Sequence, residues 1–425
     1  MALPDLIEIV PLDKPVHAEI TVPGSKSITN RALVLAALAD GEVTLEGALW
    51  SEDTQVMVDC LQRLGFEVRA EPDPNEFCNR TITVRGLGGK IPNAGTVEKP
   101  LELFVGNAGT AARFLSAMVC LGQGIYRLSG VPRMHERPQA ALFKALRELD
   151  YRVDSTNDKL PAVIYGSGRK EFAFGQVSII ESSQFASALL LAQRKGNWML
   201  EISGENEEES PYVAMTAKLM DAFPKNGRFE IEADASSGSY FHTAQCLIPE
   251  CKIRVLRWPE SDWQIDTDYL KFLPFPEPIT HISRQLHLGD SIMSATIVAP
   301  FHDTPIHFTD LARLRVQETE RVVALRTELT KCGAKVIETG DTLEVFPSKL
   351  HGAEIETYND HRMAMCFAVL GLKVPGIKLR NPSCVKKTFP NFFQKLAAEP
   401  PYGLGVTILD GHTGRKLSHD ELFAE

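Results

Sequence analysis

The sequence predicts an α/β protein of two globules, each assembled from three copies of one supersecondary unit. Three observations carry that expectation. The order helix, strand, loop, helix, strand recurs six times along the 425 residues. The first helix of each copy is apolar nearly all round, which marks a helix buried on every side. The copies differ in length, which argues against an open solenoid. Sheets of short strands wrapped around buried helices are then the simplest architecture that suits both helix sets. The spacing puts the crossing between the two globules near 235–240.

Taken in order, the first copy runs from PGSKSITNR (23–31) into an alanine- and leucine-rich helix, then the strand EVTLEG (42–47). The polar loop SEDT (51–54) and the amphipathic helix VMVDCLQRLGF (56–66) complete it. The second has ARFLSAMVCLG (112–122), IYRLSG (125–130), PRMHERP (132–138) and ALFKALRELD (141–150). The third has FASALLLAQ (185–193), WMLEISG (198–204), EEESPY (207–212) and VAMTAKLMDAF (213–223). A fourth, weaker copy spans YFHTAQCLIP (240–249), KIRVLRW (252–258) and DTDYLKFL (266–273). The fifth holds IMSATIVAP (292–300) and LARLRVQETER (311–321), followed by a helix in which Val322, Leu325, Leu329 and Cys332 recur near 3.6 residues. Gly333 is its expected left-handed cap. The sixth holds MAMCFAVLGL (363–372) and CVKKTFP (384–390).

Composition narrows the function. With 44% hydrophobic and 24% charged residues the chain is of ordinary globular type. A net charge of −10 argues against nucleic acid or an anionic membrane as partner. The eight cysteines form no CxxC pair, so neither a zinc site nor a disulfide framework is expected, and a reducing compartment fits. The opening MALPDLIEIVPLDKP is too acidic and proline-broken for a signal peptide, and no apolar run reaches membrane length. The expected location is cytoplasmic.

Against that acidic background, cations and helix starts gather at equivalent places. Polar clusters precede the first helices: SKSITNR (25–31), GNAGT (106–110), ESSQ (181–184), DASSGS (234–239), LGDS (288–291) and YNDHR (358–362). Free N–H groups and helix dipoles at such starts favour phosphate and carboxylate. Arg31, Arg133, Arg315, Arg321, Arg362 and Lys387 supply counter-charge, arginine being suited to bidentate oxyanion binding. GNAGTAAR reads either as a strand-to-helix turn or as a close backbone approach to a ligand. SSQ reads either as an N-cap or as a binder of phosphate or sugar hydroxyls. Asp290 is either a cap or a general base. In YNDHR, charge stands directly before a buried helix and needs a partner or a ligand there. Spacing alone thus predicts a site for a small, multiply charged anion.

PGSKSITNRAL, GNAGTAARFL, PRMHERP, SSQFASALL, RVQETER, YNDHRMAMCF and KKTFP together resemble the 5-enolpyruvylshikimate-3-phosphate synthase family, in matching order from about residue 8 to 398. The resemblance implies a two-domain inside-out α/β barrel of six βαβαββ-type repeats, the fourth shortened. It places 1–22 with 236–400 in one domain and 23–235 in the other, leaving 401–425 as a C-terminal extension. It implies transfer of the enolpyruvyl group of phosphoenolpyruvate to the 5-hydroxyl of shikimate 3-phosphate by a monomer, with neither metal nor cofactor. By motif, Lys26, Ser27, Arg31, Ser182, Ser183, Gln184, Tyr212, Asp290, Arg313 and Gln317 would face shikimate 3-phosphate. Lys26, Asn107, Gly109, Arg133, Gln184, Arg321, Arg362 and Lys387 would face phosphoenolpyruvate. Asp290 would take the hydroxyl proton, and Glu318 with Lys26 would handle protons at the methylene carbon.

The sequence departs from the family in several places. The usual N-x-R-V-K-E is Arg313, Leu314, Arg315, Val316, Gln317, Glu318, so a substrate-binding lysine is replaced by Gln317. Glu209 stands where a serine is usual, with Ser210 one place along, and Phe114 stands where proline is frequent. The segment from Pro401 lies beyond the family pattern and reads as an appended hairpin or a partner segment. Two alternatives follow: a ligand-binding homologue with weak catalysis, and the related transferase acting on UDP-N-acetylglucosamine, which SSQ, DHR and KTFP fit poorly.

Overall fold

A computed structural model describes residues 3–204 and 211–424; Glu209 and Ser210 lie outside the described residues. The chain divides into two compact units, one of residues 24–232 and one of residues 1–23 with 233–425.

In the 24–232 unit the helices Lys26–Leu38, Gly109–Met118 and Ser183–Gly196 pack on one another. Every residue of Gly109–Met118 is buried, as an apolar helix with no polar face requires. Three sheets surround them. Glu42–Leu49 lies between Gly227–Glu230, its parallel neighbour, and Asn79–Arg85, which continues antiparallel to Val68–Pro72. Leu101–Phe104, Gln123–Ser129, Ala162–Ser167 and Arg152–Asp154 form the second sheet in that order, and Ala173–Ser178 with Trp198–Ser203 the third. Register follows the period-two pattern: Val43 faces Val84 and Leu45 faces Ile82, all four buried. The amphipathic helices bury one stripe, as Ala140–Glu148 does with Leu142, Phe143, Ala145 and Leu146.

The other unit repeats the plan. Ala235–Leu247, Ile292–Thr296 and His361–Gly371 pack together, and all eleven residues of the last are buried. The middle helix is short. A turn containing Pro300 follows it, and proline removes a backbone donor and clashes with the preceding turn. Its sheets run in the orders Glu354–Glu356, Ile377–Arg380, Leu6–Ile9, Ile408–Asp410; His281–Ser283, Ile306–Thr309, Thr342–Val345, Val336–Thr339; and Lys252–Val255 with His17–Ile20. The segment after Pro400 therefore does not stand apart. Ile408–Asp410 adds an antiparallel edge to Leu6–Ile9, Leu417, Leu422 and Ala424 are buried, and the Ala424 N–H donates to the Pro390 carbonyl at 3.0 Å. No helix among the described residues is long and apolar enough to cross a membrane.

Candidate active site

Each unit brings its sequence-predicted residues to its own helix starts. In the 24–232 unit, Ser25 precedes the Lys26–Leu38 helix, and the Gly24 N–H before it donates to Asn79 Oδ1 at 2.8 Å. Lys26 Nζ stands 3.5 Å from the Oδ2 of Asp53, a carboxylate only 3% exposed in the first turn of Glu52–Arg63. Ser27 is partly exposed one residue on. Arg31 is pinned among three helices: Nε donates to Thr216 Oγ1 at 2.7 Å, Nη1 to the Ser27 carbonyl at 2.9 Å, and Nη2 to Ser187 Oγ and the Tyr212 carbonyl. Burial lowers its pKa to about 10, so it stays charged at neutral pH and lends that charge to the backbone of Ser27 and Tyr212.

At the start of Ser183–Gly196, Ser182 Oγ caps by accepting from the Gln184 N–H at 3.2 Å, and Ser183 is buried beside it. Gln184 Oε1 accepts from Arg113 Nη1 at 3.4 Å, and Arg113 Nη2 donates to the Pro138 carbonyl at 3.0 Å. Arg137 Nη1 donates to the Asn107 carbonyl at 3.1 Å. Both guanidiniums lie close to Gly109, where a Cβ would meet Arg113 Nη1 and Arg137 Nη2, so a side chain there would displace one or both arginines.

Arg133, on the short helix Pro132–Glu136, pairs with Glu136 at 2.6 Å, with its side chain 39% exposed. The residue that reaches the GNAGT turn is Arg137, 6% exposed and just past the end of that helix. The sequence held a signal for it. Arg137 precedes Pro138, so its backbone is driven extended and out of the helix, which re-aims the side chain.

In the other unit the cluster centres on Arg321, 1% exposed at the start of Arg321–Lys331. It grips Asp360 with Nε at 2.7 Å and Nη2 at 3.2 Å, meets Glu318 Oε2 at 2.8 Å, and donates through Nη1 to Gln317 Oε1. Asp360 also caps the His361–Gly371 helix by accepting from the Arg362 N–H at 2.9 Å. Tyr358 and Asn359 before it both take positive φ, a conformation costly to side chains, and the Tyr358 hydroxyl is tied to Glu328 at 2.7 Å. Lys387 Nζ lies 4.0 Å from Glu318 Oε1, so Glu318 sits between two cations.

Asp290 occupies the turn Gly289–Ser291 and is met by Arg284 at 2.6 Å, Arg362 at 3.4 Å and Arg321 at 4.0 Å. Burial alone would raise its pKa, but these three guanidiniums outweigh it and hold the carboxyl far below the usual range. Arg313 lies half-buried in the turn Ala312–Val316. Arg315 is not part of this cluster. It turns to Glu320, Glu338 and Asp341 and donates to the Gly340 carbonyl, fastening the loop to the Val336–Thr339 and Thr342–Val345 hairpin.

The fold of the two units is that of solved enolpyruvyl transferases. The structure is similar to EPSP synthase from Acinetobacter baumannii, with a TM-score of 0.72 over 95% of this chain and 99% of that one at 19% identity. It is also similar to the enolpyruvyl transferase NikO from Streptomyces tendae, with a TM-score of 0.69 over 96% and 99% at 15% identity. The sequence is more specific. The chain belongs to the EPSP synthase (3-phosphoshikimate 1-carboxyvinyltransferase) family, whose family model matches residues 11–226 and 278–396. The 3-phosphoshikimate 1-carboxyvinyltransferase of Trichormus variabilis is 37% identical over 92% of this chain and 98% of its own length, and that of Opitutus terrae 38% over 93% and 98%.

Proposed function

We infer that this chain moves the enolpyruvyl group of phosphoenolpyruvate onto the 5-hydroxyl of shikimate 3-phosphate, releasing phosphate. The observation that carries this is the match to one family along most of the chain, with its motifs falling on buried, ion-paired helix starts. The UDP-N-acetylglucosamine enzyme and a purely binding homologue are not favoured.

The residue roles are part of the same proposal. Ser27, Ser182, Ser183, Gln184 and Tyr212, backed by Arg31, bind shikimate 3-phosphate, with Arg313 and Gln317 at the departing positions. Lys26, Arg321, Arg362 and Lys387 bind phosphoenolpyruvate, and Arg137 replaces Arg133 in that set because it is the arginine held against Asn107 and Gly109. Asp290 accepts the hydroxyl proton as oxygen bonds to the central carbon of phosphoenolpyruvate. Glu318 and Lys26 give a proton to its methylene carbon and recover it when phosphate leaves. A carboxylate held as acidic as Asp290 is a weak base. Arg321 and Arg362 are, however, the cations assigned to phosphoenolpyruvate, and their engagement by its anionic groups loosens their hold and makes Asp290 more basic. On the same proposal the enzyme acts as a cytoplasmic monomer.

Phosphate release with both substrates tests the activity; no release alongside shikimate 3-phosphate binding would leave a binding protein. Within it, Glu318→Gln is expected to lower kcat by about 10²- to 10⁴-fold with shikimate 3-phosphate affinity retained. Unchanged turnover would remove Glu318 from the proton path.

A further inference from the structure

Asp266 lies in residues 227–277, the internal stretch between the two segments that the family model matches, yet it is joined directly to the turn that carries Asp290. It is 4% exposed, in the short turn Ile265–Asp268. Gln264 anchors that turn to the start of Ala235–Leu247, accepting from the Ala235 N–H at 3.1 Å and donating to the Ala233 carbonyl at 2.9 Å. One oxygen of Asp266 accepts the Ser291 N–H at 2.7 Å, immediately after Asp290 in the chain. The turn is clamped again where Ser291 Oγ donates to the Leu288 carbonyl at 2.6 Å, and it opens on Gly289 with φ of +53°.

We propose that Asp266 is a positioning residue of the transfer reaction, fixing through the Ser291 backbone the turn on which the Asp290 carboxylate is presented to the substrate hydroxyl. The inference rests on Asp290 being the proton acceptor. A proton acceptor works only within hydrogen-bond reach of its hydroxyl. The side chain of Asp290 is already drawn toward Arg284, so its place depends on where the backbone turn is held. The charged groups facing it are Arg362 from the His361–Gly371 helix and Asp290 from the turn. Burial pushes its pKa up to about 6 against the pull of Arg362, Asp290 adding to the rise and the Ser291 hydrogen bonds opposing it.

Two conservative variants of the full chain, with Asp290→Asn as reference, separate reach from charge. Asp266→Asn keeps an acceptor at the same distance without the charge; Asp266→Glu keeps the charge but moves the acceptor by one methylene. Steady-state kinetics are expected to give Asp266→Asn a kcat within about threefold of the parent, and Asp266→Glu a loss of about 10- to 100-fold, with the KM for shikimate 3-phosphate nearly constant in both. Asp290→Asn should lose at least as much. Equal loss in Asp266→Asn and Asp266→Glu, or none in Asp266→Glu, overturns the positioning role while leaving Asp290 in place. Parent-like turnover by Asp290→Asn overturns the assignment beneath it, and the proposal with it.

Discussion

At the residue scale, two arginines four positions apart have opposite fates. Arg133 pairs with Glu136 within the same short helix, an exposed contact of the kind that contributes little. Arg137 is buried, and its guanidinium donates to the Asn107 carbonyl in the GNAGT turn. Arg133→Ala should therefore leave the KM for phosphoenolpyruvate within about twofold. Arg137→Ala should raise it by at least about tenfold, the scale of one charge-assisted hydrogen bond. Initial-rate measurements at varied phosphoenolpyruvate check this, and the reverse ranking would return the assignment to Arg133. Arg315 makes the same point: it sits within the charged motif, but besides Glu320 its partners Glu338 and Asp341 lie on a hairpin more than twenty residues downstream.

At the scale of elements, Arg321 joins the start of one helix to the cap of another. Its bidentate grip on Asp360 satisfies a carboxylate that has no exposure to water and that also caps the His361–Gly371 helix. Removing one member of such a pair leaves the other charge buried. Arg321→Met should accordingly cost about 3–5 kcal/mol of stability as well as activity. Urea unfolding measures it, and a cost below about 1 kcal/mol would show that Asp360 finds another partner or takes up a proton. The buried and amphipathic helices were legible in the sequence because apolar periodicity reports burial directly. The broken helix of the fifth copy was less so. There the apolar run continues through 292–300, and Pro300 closes its far end.

At the scale of the whole molecule, the last residues are fastened to the segment that carries Lys387. Beyond the Ile408–Asp410 strand, Glu421 accepts from Arg415 at 2.7 Å and from the Ser418 N–H at 2.9 Å, and the Ala424 N–H reaches Pro390, three residues after Lys387. Arg415 and the Ser418 hydrogen bonds hold the Glu421 carboxyl down at about 2. Because its folded pKa is depressed, its contribution is full above the ordinary carboxylate range and is lost as pH falls toward 2. Glu421→Gln should thus lower Tm at pH 7, and the gap to the parent should narrow between pH 5 and pH 3. Thermal scans across that range decide it; a gap independent of pH would assign the effect to packing.

The sequence by itself determined the α/β class, the buried and amphipathic helices, the clustering of polar groups at helix starts and the family. These follow from local periodicity and from runs of residue types, which a linear chain displays in full. Only the tertiary structure decided which charges meet. Arg137 finds Asn107 thirty residues away, Arg321 finds Asp360 thirty-nine away, and Asp266 finds Ser291 twenty-five away. The direction of a side chain leaving a turn is set by whatever distant backbone packs against it. No spacing along the chain encodes that.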